Sequence, residues 1–204
     1  MTYLTRLKVN SARRSTWSLL DRLEPMHAMV EKMFLSDSGR ILWRLDHTYE
    51  GPVFYVLSDS IPDATAFIEN YGWPRLDYDE QVKTVIMDEV FDSLEPDSKF
   101  GFRIAVNPAK RNKDTGKMFS LVGRGALEWV TKKLESNGFH VDFIEQVDEA
   151  HPELLKNGRR TRRTITSYKG IVTITEPDKA RNALTNGIGK SKAYGAGLMT
   201  LALV

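Results

Sequence analysis

Strand, helix, strand, strand, helix, strand can be read twice along these 204 residues, before and after an acidic stretch at Asp88–Ser98. That order predicts an α+β protein of two tandem ferredoxin-like (RRM-like) β-α-β-β-α-β units, at residues 1–97 and 98–204. Three observations carry the prediction. Tyr3–Val9 and Lys99–Val106 alternate with period two. Met26, Met29, Val30, Met33 and Phe34, and later Ala126, Leu127, Val130 and Leu134, recur at helical spacing. Proline and glycine punctuate the gaps, and the length suits two domains of about 100 residues.

In the first unit, Tyr3–Val9 is the opening strand and Ser15–Leu35 a helical region interrupted by Pro25. Proline disfavours helical geometry at Glu24 and suits the first position of a new helix, so a second helix is expected from Pro25. Arg40–Leu45 and Val53–Leu57 read as strands joined by a turn through Glu50-Gly51-Pro52. A short helix at Pro62–Asn70 and a strand at Gln81–Met87 complete the unit. In the second, Lys99–Val106, Phe139–Ile144, Thr164–Thr175 and Leu198–Leu203 are the strands. Leu121–Ser136 and the proline-started Pro177–Thr185 are the helices.

Composition excludes several classes. With no cysteine there are no disulfides, thiolate nucleophiles or thiolate metal sites, which fits a reducing compartment. No apolar run approaches the roughly 20 residues of a membrane span, and the first residues alternate like a strand rather than a signal peptide. A soluble, cytoplasmic protein without membrane partners, monomeric in isolation, is expected. No cluster of acids and histidines has ligand spacing, so neither a metal nor another cofactor is expected. The net charge of +2 hides a division: residues 1–98 carry 10 Lys+Arg against 17 Asp+Glu, and residues 99–204 carry 19 against 10. The second half is a candidate polyanion binder.

Its basic residues cluster. KNGRRTRRTITSYK holds Lys156, Arg159, Arg160, Arg162, Arg163 and Lys169 and no acid, and Asn157-Gly158 signals a turn, so the arginines should project from a hairpin. Guanidinium forks suit phosphate and stacked bases, and five or six such contacts would lower affinity on the order of 10²-fold or more over a modest rise in salt. A second group, Arg103 with Lys110 and Arg111, follows the strand Lys99–Val106. The third is GIGKSKAYGAG, with Gly187, Gly189, Gly195 and Gly197 interleaved with Lys190, Lys192 and Tyr194. It fails the Walker pattern, because position 184 is Leu, and the dinucleotide fingerprint, because position 192 is Lys. An anion cradle and a plain helix-to-strand connection both remain open for it. His27 lies off the apolar stripe of its helix. The expected first-turn position sets it beside unpaired N–H groups and the positive end of the macrodipole, where an anion is favoured and an imidazolium is not. Imidazole can accept and donate a proton near neutral pH, which suits a general acid–base.

The segment GIGKSKAYGAGLMTLALV resembles the glycine-rich loop and last strand of the CasE family, the precursor-CRISPR-RNA endoribonucleases of type I-E Cascade. FRIAVNPAKR, ILWRL and the Met26-His27 pair match the same family, so the resemblance spans nearly the whole chain. It implies two ferredoxin-like domains, binding of a CRISPR repeat RNA stem-loop, one metal-independent cut at the base of the stem, and retention of the crRNA beside the other Cascade subunits. His27 matches the catalytic histidine, and Lys32 falls where some members carry a lysine near the scissile phosphate. Lys32 is five residues from His27, roughly 140° round a regular helix. The hairpin from Arg159 to Arg163 resembles the element that engages the stem. Where some members have a tyrosine three residues before the histidine, this chain has Glu24. The competing reading is an RNA stem-loop-binding subunit of a ribonucleoprotein without catalysis, in which His27 is incidental.

Overall fold

The structure, a computed structural model, describes residues 1–35, 39–156 and 158–204. The chain forms two compact units: residues 1–92, 152–162 and 193–195 in one, and residues 93–151, 163–192 and 196–204 in the other.

The first unit is built on β1 (Tyr3–Lys8), α1 (Arg14–Leu20), α2 (Leu23–Glu31), β2 (Leu42–Thr48), β3 (Gly51–Ser58), α3 (Thr65–Tyr71), α4 (Tyr78–Gln81), β4 (Val82–Ile86) and α5 (Asp88–Asp92). Its antiparallel sheet runs β2-β3-β1-β4. This is the ferredoxin-like order the sequence predicts: the first crossover leads to the edge strand β2, the hairpin brings β3 back beside β1, and the second crossover sets β4 on the other side of β1. Leu7, Val9, Trp43, Phe54, Val56 and Val82 form one core with Leu19 of α1, Phe67 of α3 and Leu23, Met26, Met29 and Val30 of α2. Each such side chain contributes about 1.5–3 kcal/mol of burial.

The break between α1 and α2 falls two residues earlier than expected. α2 opens at Leu23 with Arg22 as its extended cap residue, and Pro25 is its third residue. The first-turn N–H groups of a helix have no intrahelical acceptor, so a proline there removes no hydrogen bond. His27 is consequently the fifth residue of α2, beyond the first turn expected for it. The β2–β3 turn also differs: Thr48 pairs with Gly51, and Pro52 lies within β3. The short helices α4 and α5 carry too few apolar residues for periodicity to reveal.

Arg44 of β2 is the largest fully buried side chain. Its guanidinium donates from Nε and Nη2 to both carboxylate oxygens of Asp46, at 2.8 and 2.9 Å, and lies 5.2 Å from the centre of the Tyr55 ring. Residues two apart on a strand share a face, which makes the bidentate fork possible.

The second unit contains β5 (Lys99–Val106), β6 (Ala109–Arg111), β7 (Met118–Ser120), α6 (Gly123–Glu135) and β8 (Phe139–Ala150), then β11 (Ile165–Ile174), α7 (Pro177–Asn186) and β12 (Met199–Leu203). Between β8 and β11 lie β9 (Glu153–Lys156) and β10 (Arg159–Arg162), which belong to the first unit. The sheet runs β12-β5-β11-β8, the same topology as the first. β8 is twice the expected length, and β6 pairs with β7 as a small hairpin that three-residue strands do not announce in sequence. Among the described residues no helix is long and apolar enough to cross a membrane.

Asp46→Ala removes both acceptors of the buried guanidinium fork and should lower stability in urea by about 3–5 kcal/mol, whereas the double replacement Arg44→Met with Asp46→Leu should recover most of the loss.

Candidate functional site

The first unit gathers three pieces that are far apart in sequence: α2 with His27, the β9–β10 hairpin, and residues 193–195 of the glycine loop. Met26, Met29 and Val30 turn α2 onto the core, which leaves His27 on its open side with its side chain 32% exposed. The imidazole Nε2 lies 3.2 Å from Oε1 of Glu31, one turn on. Lys32 caps the helix, exposed, with its N–H donating to Ala28 O.

The hairpin is tethered to that helix. Glu153 donates its N–H to Asp21 O at 3.0 Å and bridges to Arg22. Leu154 is buried in the α2 core, and the Leu155 N–H donates to the Glu24 carboxylate. Glu24 thus fastens the arginine hairpin to the helix that carries His27. In the β9–β10 register Thr161 faces Leu154, while Arg160 and Arg162 face Leu155 and Glu153. Both arginines are exposed, and Arg160 lies 3.7 Å from Glu153. The charge-rich side of the hairpin therefore faces solvent while Leu154 anchors the other. Asn157, the first residue of the expected turn, lies outside the described residues, as do the side chains of Lys156 and Arg159.

The glycine loop makes its close approaches to the protein itself. Ala193 O accepts from Trp43 Nε1 at 3.1 Å. Gly195 has φ +76°, and a Cβ there would stand 2.6 Å from the Trp43 ring. A Cβ at Gly197 would stand 2.8 Å from Ile188 O. Lys192 is turned inward, donating from Nζ to Asn186 O at 2.7 Å at the end of α7. Between Ala193 and Gly195 the ring of Tyr194 packs on the core and meets His27 edge-on, with centroids 5.9 Å apart and planes at 67°.

The other basic candidates belong to the second unit. Lys110 and Arg111 are exposed on β6, and Lys190 is exposed in the loop after Gly187 and Gly189. Arg103 on β5 lies opposite Lys169 on β11, and Lys169 pairs with Glu145 at 3.0 Å. Arg163 follows β10 and is half-buried, with no hydrogen-bond partner for its Nε among the described residues. The charges that sequence order groups in one acid-free run are thus divided between units, some with acids from neighbouring strands. Glu31 and Tyr194 were missed. The i, i+4 spacing from His27 was a legible signal for Glu31; for Tyr194 there was only its place between glycines. Tyr168 offers no base, because burial and the Glu149 carboxylate push its phenol up to about 12. Among the described residues no group of three or more His, Cys, Asp or Glu is arranged to hold a metal ion.

A family model described as "CRISPR associated protein" matches residues 2–202. The chain is similar to the CRISPR-associated endoribonuclease Cse3 of Thermus thermophilus, at 26% identity over 220 residues covering 98% of this chain and 99% of the relative. It is similar to the solved structure of Thermus thermophilus Cse3 bound to an RNA representing a pre-cleavage complex, with TM-score 0.79, 27% identity and 98% of each chain covered. Cas6e from Escherichia coli K-12 shares the fold over the whole of both chains, with TM-score 0.71 at 19% identity.

Gly195→Ala should cost more stability than Gly116→Ala when unfolded in urea. Both glycines have positive φ, worth about 1–2 kcal/mol to a side chain, but a Cβ meets the Trp43 ring at Gly195 and nothing within 4 Å at Gly116.

Proposed function

The chain belongs to the CRISPR-associated protein family, in its CasE branch, and from that premise we propose that it is the endoribonuclease that processes precursor CRISPR RNA. It binds the repeat stem-loop, cuts at the base of the stem, and keeps the mature crRNA as a Cascade subunit. Its two domains are built on the sheets within residues 1–97 and 98–204, with the β9–β10 hairpin and residues 193–195 packing with the first and residues 93–97 with the second. The observation that carries the reading is the tethering of an exposed arginine hairpin to the helix that bears a solvent-accessible histidine.

Cleavage needs only the RNA's own 2′-hydroxyl, the adjacent phosphate and managed protons. A base takes the 2′-hydroxyl proton, the 2′-oxygen attacks phosphorus in line, and the bond to the leaving 5′-oxygen breaks as that oxygen gains a proton. The products are a 2′,3′-cyclic phosphate, or the 3′-phosphate formed by its hydrolysis, and a 5′-hydroxyl. His27 serves as proton donor or acceptor in this scheme, which requires its Nε2 to leave Glu31 when RNA enters. Lys32, exposed at the end of the same helix, supplies a cation for the phosphorane. Arg160 and Arg162 grip the stem with Arg159; Arg103, Lys110, Arg111, Arg163, Lys169 and Lys190 extend the positive surface. Inward-turned Lys192 and the closely packed Gly195 and Gly197 act on RNA only through the loop they shape. General acid–base help from one histidine is worth about 10²–10⁴-fold, so RNA positioning supplies the remainder.

Assayed in chelator, His27→Ala should cut the repeat stem-loop at least about 10²-fold more slowly while its Kd changes less than about two-fold. A 2′-deoxy nucleotide at the scissile linkage should bind and remain uncut. Full cleavage by His27→Ala, or cleavage that needs magnesium, would refute the mechanism, whereas binding of the stem-loop by the parent protein without any cleavage would leave RNA binding as the function. Arg160→Ala with Arg162→Ala should flatten the slope of log affinity against log salt by about 1 per lost phosphate contact.

A further inference from the structure

His27 stands on the open side of a nine-residue helix, and a histidine that transfers protons must hold its ring in one orientation. Among the described residues, Glu31 and Tyr194 meet that ring. Glu31 is a weak constraint: its side chain is 60% exposed, and it engages the Nε2 that proton transfer requires. Tyr194 is different, because its contact is ring to ring, with centroids 5.9 Å apart and planes at 67°, rather than an ion pair to Nε2. Its own position is set on both sides, by the hydrogen bond from Trp43 to Ala193 O and by the seating of Gly195 on the Trp43 ring. Trp43 in turn packs on Phe54, 5.7 Å away, and Phe54 on Phe67 at 6.2 Å. Ring contacts therefore run from Phe67 through Phe54 to Trp43, the loop backbone at Ala193 and Gly195 is seated on that indole, and Tyr194 between them meets the imidazole.

We propose that Tyr194 is a positioning residue for His27, and that the glycine loop is shaped to deliver its ring. The inference rests on His27 as the proton-transfer group. Tyr194 holds the imidazole by its ring edge, so the ring matters and the hydroxyl does not. Tyr194 acts only through His27 and makes no contribution to RNA affinity. Edge-to-face ring pairs are worth about 0.5–1.5 kcal/mol, which at 25 °C corresponds to a change of up to about ten-fold in the population of the held orientation.

The test is single-turnover cleavage of a repeat stem-loop RNA at saturating protein, with Kd measured separately on the 2′-deoxy RNA. Tyr194→Phe should stay within about two-fold of the parent rate, while Tyr194→Leu should fall about five- to ten-fold at unchanged Kd. Leucine keeps apolar bulk against the core, so it reads the ring contact even where Tyr194→Ala loses the fold. In the His27→Ala background Tyr194→Leu should bring no further loss, since a positioning residue has nothing left to position. The inference is overturned by a parent-like rate in Tyr194→Leu, by an equal loss in Tyr194→Phe, or by an undiminished effect without His27. Full cleavage by His27→Ala would instead sink the underlying assignment, whereas a His27-dependent rate indifferent to Tyr194→Leu would sink only this one.

Discussion

The indole of Trp43 is the constraint on which the candidate site depends. It is buried in the first unit's core, yet its N–H reaches Ala193 and its ring lies against Gly195, 150 residues later in the chain. Only a residue without a Cβ fits at Gly195, and only a backbone with positive φ passes there. The glycine density that first suggests a phosphate cradle thus has a packing cause at Gly195 and Gly197. Between them and Lys192, itself spent on a helix-end carbonyl, the loop has one projecting ring, and that ring meets His27.

The second organising interaction joins α2 to the arginine hairpin. Asp21, Arg22 and Glu24 hold residues 153–155 against the start of α2, with Leu154 buried in the same core, so the hairpin's exposed arginines and His27 belong to one body. This also redraws the charge map. Sequence halves differ by 10 Lys+Arg against 17 Asp+Glu in one and 19 against 10 in the other. The folded units hold 14 against 16 and 15 against 11, because Lys156, Arg159, Arg160 and Arg162 join the first. A polyanion bound by that hairpin would therefore be recruited to the unit that carries His27, against its acidic background. The electrostatics are local, set by which strand edge presents guanidinium groups, rather than by the sign of a whole domain.

Much of the fold was legible because it is encoded locally. Alternation placed β5 residue for residue, Pro177 marked the start of α7, and two successions of element types implied the strand order found in both sheets. Pro25 misled by two residues because a proline is tolerated anywhere in a helix's first turn, not only at its start. Arg44 could be seen in sequence, but not that Asp46 would permit its burial. The site was half legible. His27, its exposed setting and the arginine hairpin followed from residue type and spacing, and the family resemblance pointed to the same residues. The part supplied by long-range packing was not: no local pattern says that residues 153–155 lie on α2, or that Tyr194 reaches back to residue 27. Tertiary contacts between segments more than 120 residues apart leave no periodicity to read.

The central claim is that the loop, seated on Trp43, holds Tyr194 against His27, the proposed proton-transfer group, before RNA arrives. Proton–proton NOE measurements on protein selectively labelled at tyrosine and histidine test it directly. Ring protons of Tyr194 should show cross-peaks to the carbon-bound ring protons of His27 in the free protein, and these should weaken in Gly195→Ala, whose new Cβ lifts the loop from the indole. Absence of those cross-peaks in the unmodified protein, or their full persistence when Gly195 is replaced, would contradict the account.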